Sequence, residues 1–243
     1  MRPVRWLAWT VGVLFLIGTA LQLVDTLNLY VTPPDTGAAS IVQQRLASQD
    51  YRVAIWPIFA LNNLSFGIAF VAISALGFAL AAVLATGDTR RITLVTTLGI
   101  GGVLGAVGQL ILLGATQVTI DIAYCDCGFK ETEIVAQQWA GIVASDISDW
   151  LNRVAGVVLA IGLYALVQDA GARIPSRLRG WTLITAVALV LASVVATISP
   201  PGLDEIVNVL TSLIGAVLIP VWAVWLARTV DASSGENSPA GGT

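Results

Sequence analysis

The chain has 243 residues, 56% of them hydrophobic and 11% charged, with a formal net charge of -3, where a soluble domain carries about 25% charged residues. With a mean hydropathy of +0.84 it reads as an all-α polytopic membrane protein, and six spans with short connections leave no room for a second globular domain. It contains no histidine, which excludes His-ligated haem, His-based zinc or di-iron centres and Ser-His or Cys-His nucleophile pairs; no cofactor, metal or nucleic-acid partner is expected.

In chain order, Arg2 and Arg5 precede the first predicted span, 6–24. The small residues Gly18-Thr19-Ala20 also permit a signal-peptide reading, but the apolar core is long for one and a retained helix is favoured. Pro33-Pro34 breaks the chain before a short surface helix at 40–50, and Pro57 marks the expected start of the second span, 57–86, with Asn62 and Asn63 near its outer end. A basic turn, Asp88-Thr89-Arg90-Arg91, leads to the third span, 92–114. Its Gly101 and Gly105 form a small-xxx-small pair that lets backbones approach, and Gln109 lies near its outer end.

A long outer connection holding Cys125-Asp126-Cys127 leads to the fourth span, 149–168. Only 15 uncharged residues separate Arg153 from Asp169, about 22 Å of helix against a hydrocarbon core of about 30 Å. The fourth crossing must therefore draw in the turn Asp149-Trp150-Leu151-Asn152-Arg153, and ionisable residues at such depth are functional candidates. Asp146, Asp149 and Arg153 share one helix face, and Asp149 to Arg153 is the favourable acid-first order for an ion pair. The fifth span is 181–199; the sixth is 206–227, with Glu205 and Asn208 at its outer end and a kink expected at Pro220. Together 1–229 form one transmembrane domain, and 230–243 reads as a disordered tail. Trp6, Trp139, Trp150, Trp181, Trp222 and Trp225 fall near span ends as interface anchors.

Basic residues set the orientation. With both termini inside, Arg2, Arg5, Arg90, Arg91, Arg173, Arg177, Arg179 and Arg228 are cytoplasmic, and only Arg45, Arg52, Lys130 and Arg153 are outside or in the outer leaflet. The same topology gives the outer side eleven acidic residues against those four basic ones, a surface that favours cations. A faint repeat is also visible: Leu61-Asn62 recurs as Leu151-Asn152, and Thr93-Leu94-Val95-Thr96 as Thr182-Leu183-Ile184-Thr185, at offsets of 90 and 89 residues.

Asn62, Asn63, Gln109, Asp146, Asp149, Asn152, Arg153, Glu205 and Asn208 fall at similar depth, which makes them candidates for an outer-facing polar pocket; the competing reading is a structural ion pair at a helix end with Arg153 snorkelling outward. For Cys125 and Cys127 three readings stay open: a disulfide, free thiols, and metal or redox chemistry, the last short of ligands. The sequence Ser40-Ile-Val-Gln-Gln-Arg-Leu-Ala-Ser-Gln-Asp-Tyr-Arg52, Gly162-Leu-Tyr-Ala-Leu-Val-Gln-Asp-Ala170 and Pro220-Val-Trp-Ala-Val-Trp-Leu-Ala-Arg228 resembles a family of bacterial six-helix integral membrane proteins defined as a domain of unknown function. That resemblance implies an all-helical membrane fold and assigns no site. The sequence favours a non-enzymatic membrane subunit or scaffold of the plasma membrane, partnered by lipid and by a helix-packing protein or a second copy. The alternative is a small-solute or cation carrier or receptor. An intramembrane enzyme is least favoured, since Gly-x-Gly-Asp and Gly-x-Ser-x-Gly are both absent.

Overall fold

A chain this apolar satisfies its backbone in lipid by closing hydrogen bonds within each segment, which selects helices. The computed structural model describes residues 2–32, 41–84, 87–124, 131–170, 174–198 and 204–235, and they form helices joined by short turns with no strand among the described residues. The helices are α1 (Arg2–Thr26), α2 (Ile41–Leu84), α3 (Asp88–Tyr124), α4 (Glu131–Ala170), α5 (Ser176–Ile198), α6 (Asp204–Leu213) and α7 (Ile219–Gly235), with a π-helical turn, Ile214–Leu218, joining the last two. Six segments are long and apolar enough to cross a membrane, the sixth running from Val209 to Thr229 through the π-turn. The expected all-α, six-crossing fold is what the chain adopts.

Neighbouring helices are antiparallel and close into a ring in which α1 meets both α2 and α7. Arg2, Arg5, Arg90, Arg91, Arg177 and Arg179 start the odd-numbered crossings and so share one end of the bundle, called here the basic end; Asp25, Asp50, Asp121, Asp146 and Asp149 belong to the opposite, acidic end. Leu76, Leu98, Leu159, Leu163 and Trp222 belong to the buried core and line a small apolar cavity at its centre. Large apolar side chains such as Ile68, Val103, Ile161, Ile184 and Val187 face outward, as lipid-facing positions do.

Three helices are far longer than a crossing needs. At 44, 37 and 40 residues, α2, α3 and α4 measure about 55–65 Å, so each extends past the hydrocarbon toward the acidic end. Sequence reading missed this at two places. Pro57 does not start the second helix but sits inside it; it is exposed, and it leaves the carbonyl of Val53 without its α-helical donor. The turn before Pro57 is also anchored, Tyr51 donating from its hydroxyl to the Asp25 carboxylate at 3.4 Å. The third helix, in turn, passes Gly114 and continues to Tyr124. At the other end of the chain α7 runs to Gly235, while Cys125, Cys127 and 236–243 lie outside the described residues.

Glycine brings the helices together. A Cβ added at Gly102 would run into Ser74 Oγ and the Phe70 carbonyl of α2, one at Gly105 would stand 2.5 Å from the Phe70 ring, and one at Gly101 would stand 2.7 Å from Leu159 of α4. Two faces of α3 therefore touch two neighbours through bare backbone. Ser74 uses the closeness to donate to Gly99 O across the α2–α3 seam at 3.0 Å. Gly102→Ala is expected to lower stability by about 1–3 kcal/mol through overpacking, whereas Gly99→Ala, whose added Cβ has its nearest neighbour at 4.0 Å, is expected to be neutral or slightly stabilising; thermal unfolding of both variants in detergent checks the contrast.

Candidate functional site

Polar side chains inside an apolar bundle find partners or carry a desolvation cost of about 1–3 kcal/mol each. Toward the acidic end such side chains gather at the α3–α4 seam. Gly108 lets α4 approach α3, a Cβ there standing 3.1 Å from Asn152 Oδ1 and 3.2 Å from Ser148 O. Across this contact Ser148, fully buried, donates to Gly108 O at 2.8 Å. Gln109 Nε2 donates to Asn152 Oδ1 at 3.3 Å, and Asn152 Nδ2 to Ser148 Oγ at 3.5 Å. Three consecutive links thus run inside one seam.

The other described candidates are placed differently. Asn63 is 4% exposed and donates to Phe59 O of its own helix at 2.8 Å. Asn62 turns to the opposite neighbour, donating to Gly18 O of α1 at 3.0 Å. Asp146 and Asp149 are exposed on α4, beside exposed Ile147 and Trp150. Arg153 stacks its guanidinium over the Trp150 ring, 5.3 Å from the centroid, and makes no ion pair with Asp149. Magnitudes account for the preference: an exposed i, i+4 ion pair is worth about 0.3–0.5 kcal/mol, a cation–π contact about 0.5–1 kcal/mol at an exposed site. The described candidates therefore divide into an internal network, two asparagines satisfied by backbone, and an outward charged face. The side chains of Glu205 and Asn208 lie outside the described residues.

The faint repeat acquires a geometric counterpart here. Gly18 and Gly108 are 90 residues apart, as are Asn62 and Asn152. In both helix pairs the asparagine of the returning helix meets the glycine of the preceding one, Asn62 through its amide on Gly18 O and Asn152 through van der Waals contact at Gly108. Thr19 occupies the position 90 residues before Gln109.

Several polar residues that matter were not singled out from sequence. Ser148 is the hub of the seam, and its signal, a small polar residue one turn before Asn152, is weak. Trp222, read as an interface anchor, is instead 3% exposed at the bundle centre, its indole donating to Thr182 Oγ1 at 3.1 Å while Thr182 donates to Leu178 O at 2.7 Å. Trp181 is half-buried and donates to Leu218 O in the π-turn at 3.0 Å. Thr19, 1% exposed, has no hydrogen-bond partner among the described residues. No cluster of three metal-ligating side chains occurs among the described residues. Comparison with protein-family models, with curated proteins and with solved structures finds no match.

A double-mutant cycle over Gln109→Leu and Asn152→Leu is expected to give a favourable coupling of about 0.6 kcal/mol, the size typical of such bonds between membrane helices. Asp149→Asn is expected to leave thermal stability unchanged within about 0.5 kcal/mol, and Trp150→Ala to lower it by more, because Arg153 rests on the indole. Unfolding midpoints of the variants in one detergent measure both.

Proposed function

We propose that this chain is a non-catalytic subunit or scaffold of the plasma membrane that acts through helix association, with both termini and the basic end facing the cytoplasm. One observation carries the reading: toward the acidic end Asn62, Asn63, Gln109, Ser148 and Asn152 donate to groups of the bundle itself. Donors committed in this way are not held ready for a solute. The glycine-lined seams of α3 support it further, since residues that let backbones touch fill the space a transport path needs. Orientation rests on the asymmetry of the arginines. Membership of the bacterial six-helix family that the sequence resembles fits this reading and is proposed with it. The outward-facing apolar surfaces are assigned to lipid and to a packing partner or second copy.

A second reading, a cation carrier or receptor, is favoured by the exposed Asp146 and Asp149, which would attract cations to the outer surface. Single cysteines separate the two in a background carrying Cys125→Ser and Cys127→Ser. Under the scaffold reading, Asp149→Cys reacts with a membrane-impermeant maleimide applied from outside, whereas Asn63→Cys and Gln109→Cys stay unlabelled from either side. Rapid labelling of Gln109→Cys from outside would instead establish a water-filled cavity and the carrier reading.

A further inference from the structure

Two arginines of the basic end stand over one aromatic contact. The Trp181 ring of α5 and the Trp225 ring of α7 lie 5.9 Å apart between centroids, and the indole bonds from Trp181 to Leu218 O and from Trp222 to Thr182 fix the same seam. Arg177 precedes Trp181 by four residues and Arg228 follows Trp225 by three, and residues at those spacings share a helix face. Because the two helices are antiparallel, both steps lead toward the basic end, by about 6 Å and about 4.5 Å. The arginines therefore stand at one level on facing helices, whose axes in a packed pair are about 8–10 Å apart.

Neither guanidinium is spent on protein. Arg177 and Arg228 are exposed and make no hydrogen bond or ion pair among the described residues, and the first turn of α5 carries no acid. The α3 corner, across the ring, differs. Arg91 has Asp88 three residues back on its own helix face, and Arg90 is already engaged. Depth separates lipid from solvent as the source of a partner: residues 181–198 of α5 measure about 27 Å, close to the hydrocarbon thickness of about 30 Å. Trp181 thus lies at the edge of the hydrocarbon, and the two arginines one turn outside it, in the layer of lipid phosphates. Just inside, Leu183, Ile184 and Val187 face outward, where acyl chains lie.

We infer that Arg177 and Arg228 together hold the phosphate of an anionic phospholipid whose acyl chains lie along the apolar flank of α5. The planar fork of arginine matches the oxygens of a phosphate, and two forks at one level grip it from two helices. A zwitterionic headgroup brings a cation of its own to the same place, which two uncompensated arginines repel, whereas a headgroup of net negative charge is drawn in. This inference stands apart from the scaffold reading, because a lipid bound across the α5–α7 seam serves a scaffold and a carrier equally.

The test is thermal unfolding of the purified full chain in detergent, with phosphatidylglycerol, phosphatidylcholine or inorganic phosphate added at equal concentration and ionic strength. At a hundredfold excess of phosphatidylglycerol over its dissociation constant the parent is expected to melt about 5–10 °C higher than with either of the others. The double variant Arg177→Gln, Arg228→Gln loses that increment, and Arg90→Gln, Arg91→Gln, which removes the same charge from α3, keeps it. Equal melting of the parent with phosphatidylglycerol and with phosphatidylcholine or inorganic phosphate overturns the site, as does an undiminished increment in the first double variant or an equal loss in both. If the first variant does not fold, phosphatidylglycerol carrying a photoreactive diazirine beside its headgroup decides on the parent: adducts concentrated on the peptides around Arg177 and Arg228 support the site, and adducts spread evenly over the six crossings overturn it.

Discussion

The fold depends on one constraint of the bilayer interior: with no water to hydrogen-bond, every polar group must be answered by protein, and dispersion contacts between helices replace the hydrophobic effect as the cohesive force. Both demands are met by close approach. Glycine removes the side chain that would hold two helices apart, and the bare backbone then offers its carbonyl to a neighbour. At Gly108 the carbonyl accepts from Ser148 and at Gly18 from Asn62, while the approach at Gly102 brings Ser74 within reach of Gly99 O. Packing and polar satisfaction are thus one device used on successive seams around the ring.

The sixth crossing shows the cost of departing from it. Pro220 withholds an N–H, and the residues just before it form a π-helical turn over Ile214–Leu218 that contacts two neighbours. Leu218 O takes the Trp181 indole, while Gly215 gives its Cβ space to Thr19. Trp222, two residues beyond the proline, is carried into the bundle centre, where Thr182 receives its indole N–H. A proline read from sequence as a kink is in this way tied to the two indole bonds that join α5 to the last crossing.

What the sequence made legible follows from which physical signals are local. Six crossings were readable because runs of apolar residues and the spacing of arginines need no knowledge of neighbours. Gln109 and Asn152, read at similar depth on the third and fourth crossings, lie within hydrogen-bond distance of each other. Facing was not readable: nothing in an all-apolar helix says that Trp222 points inward while Trp150 points out, or that Arg153 prefers an indole to the carboxylate one turn earlier. Helix length past the bilayer escaped in α2 and α3, since Pro57 suits a helix start equally well as an exposed interior position one turn beyond the Tyr51–Asp25 contact.

The central claim is that polar side chains toward the acidic end are held by protein and kept from water. Water-edited solid-state NMR on the chain in lipid bilayers measures this directly, through the rate at which polarisation passes from water to the side-chain amides. The account predicts build-up at Asn63, Gln109 and Asn152 as slow as at the central residues Leu98 and Leu163, with fast transfer confined to exposed positions such as Asp146. Build-up at Gln109 and Asn152 as rapid as at Asp146 would contradict it, by placing water inside the α3–α4 seam.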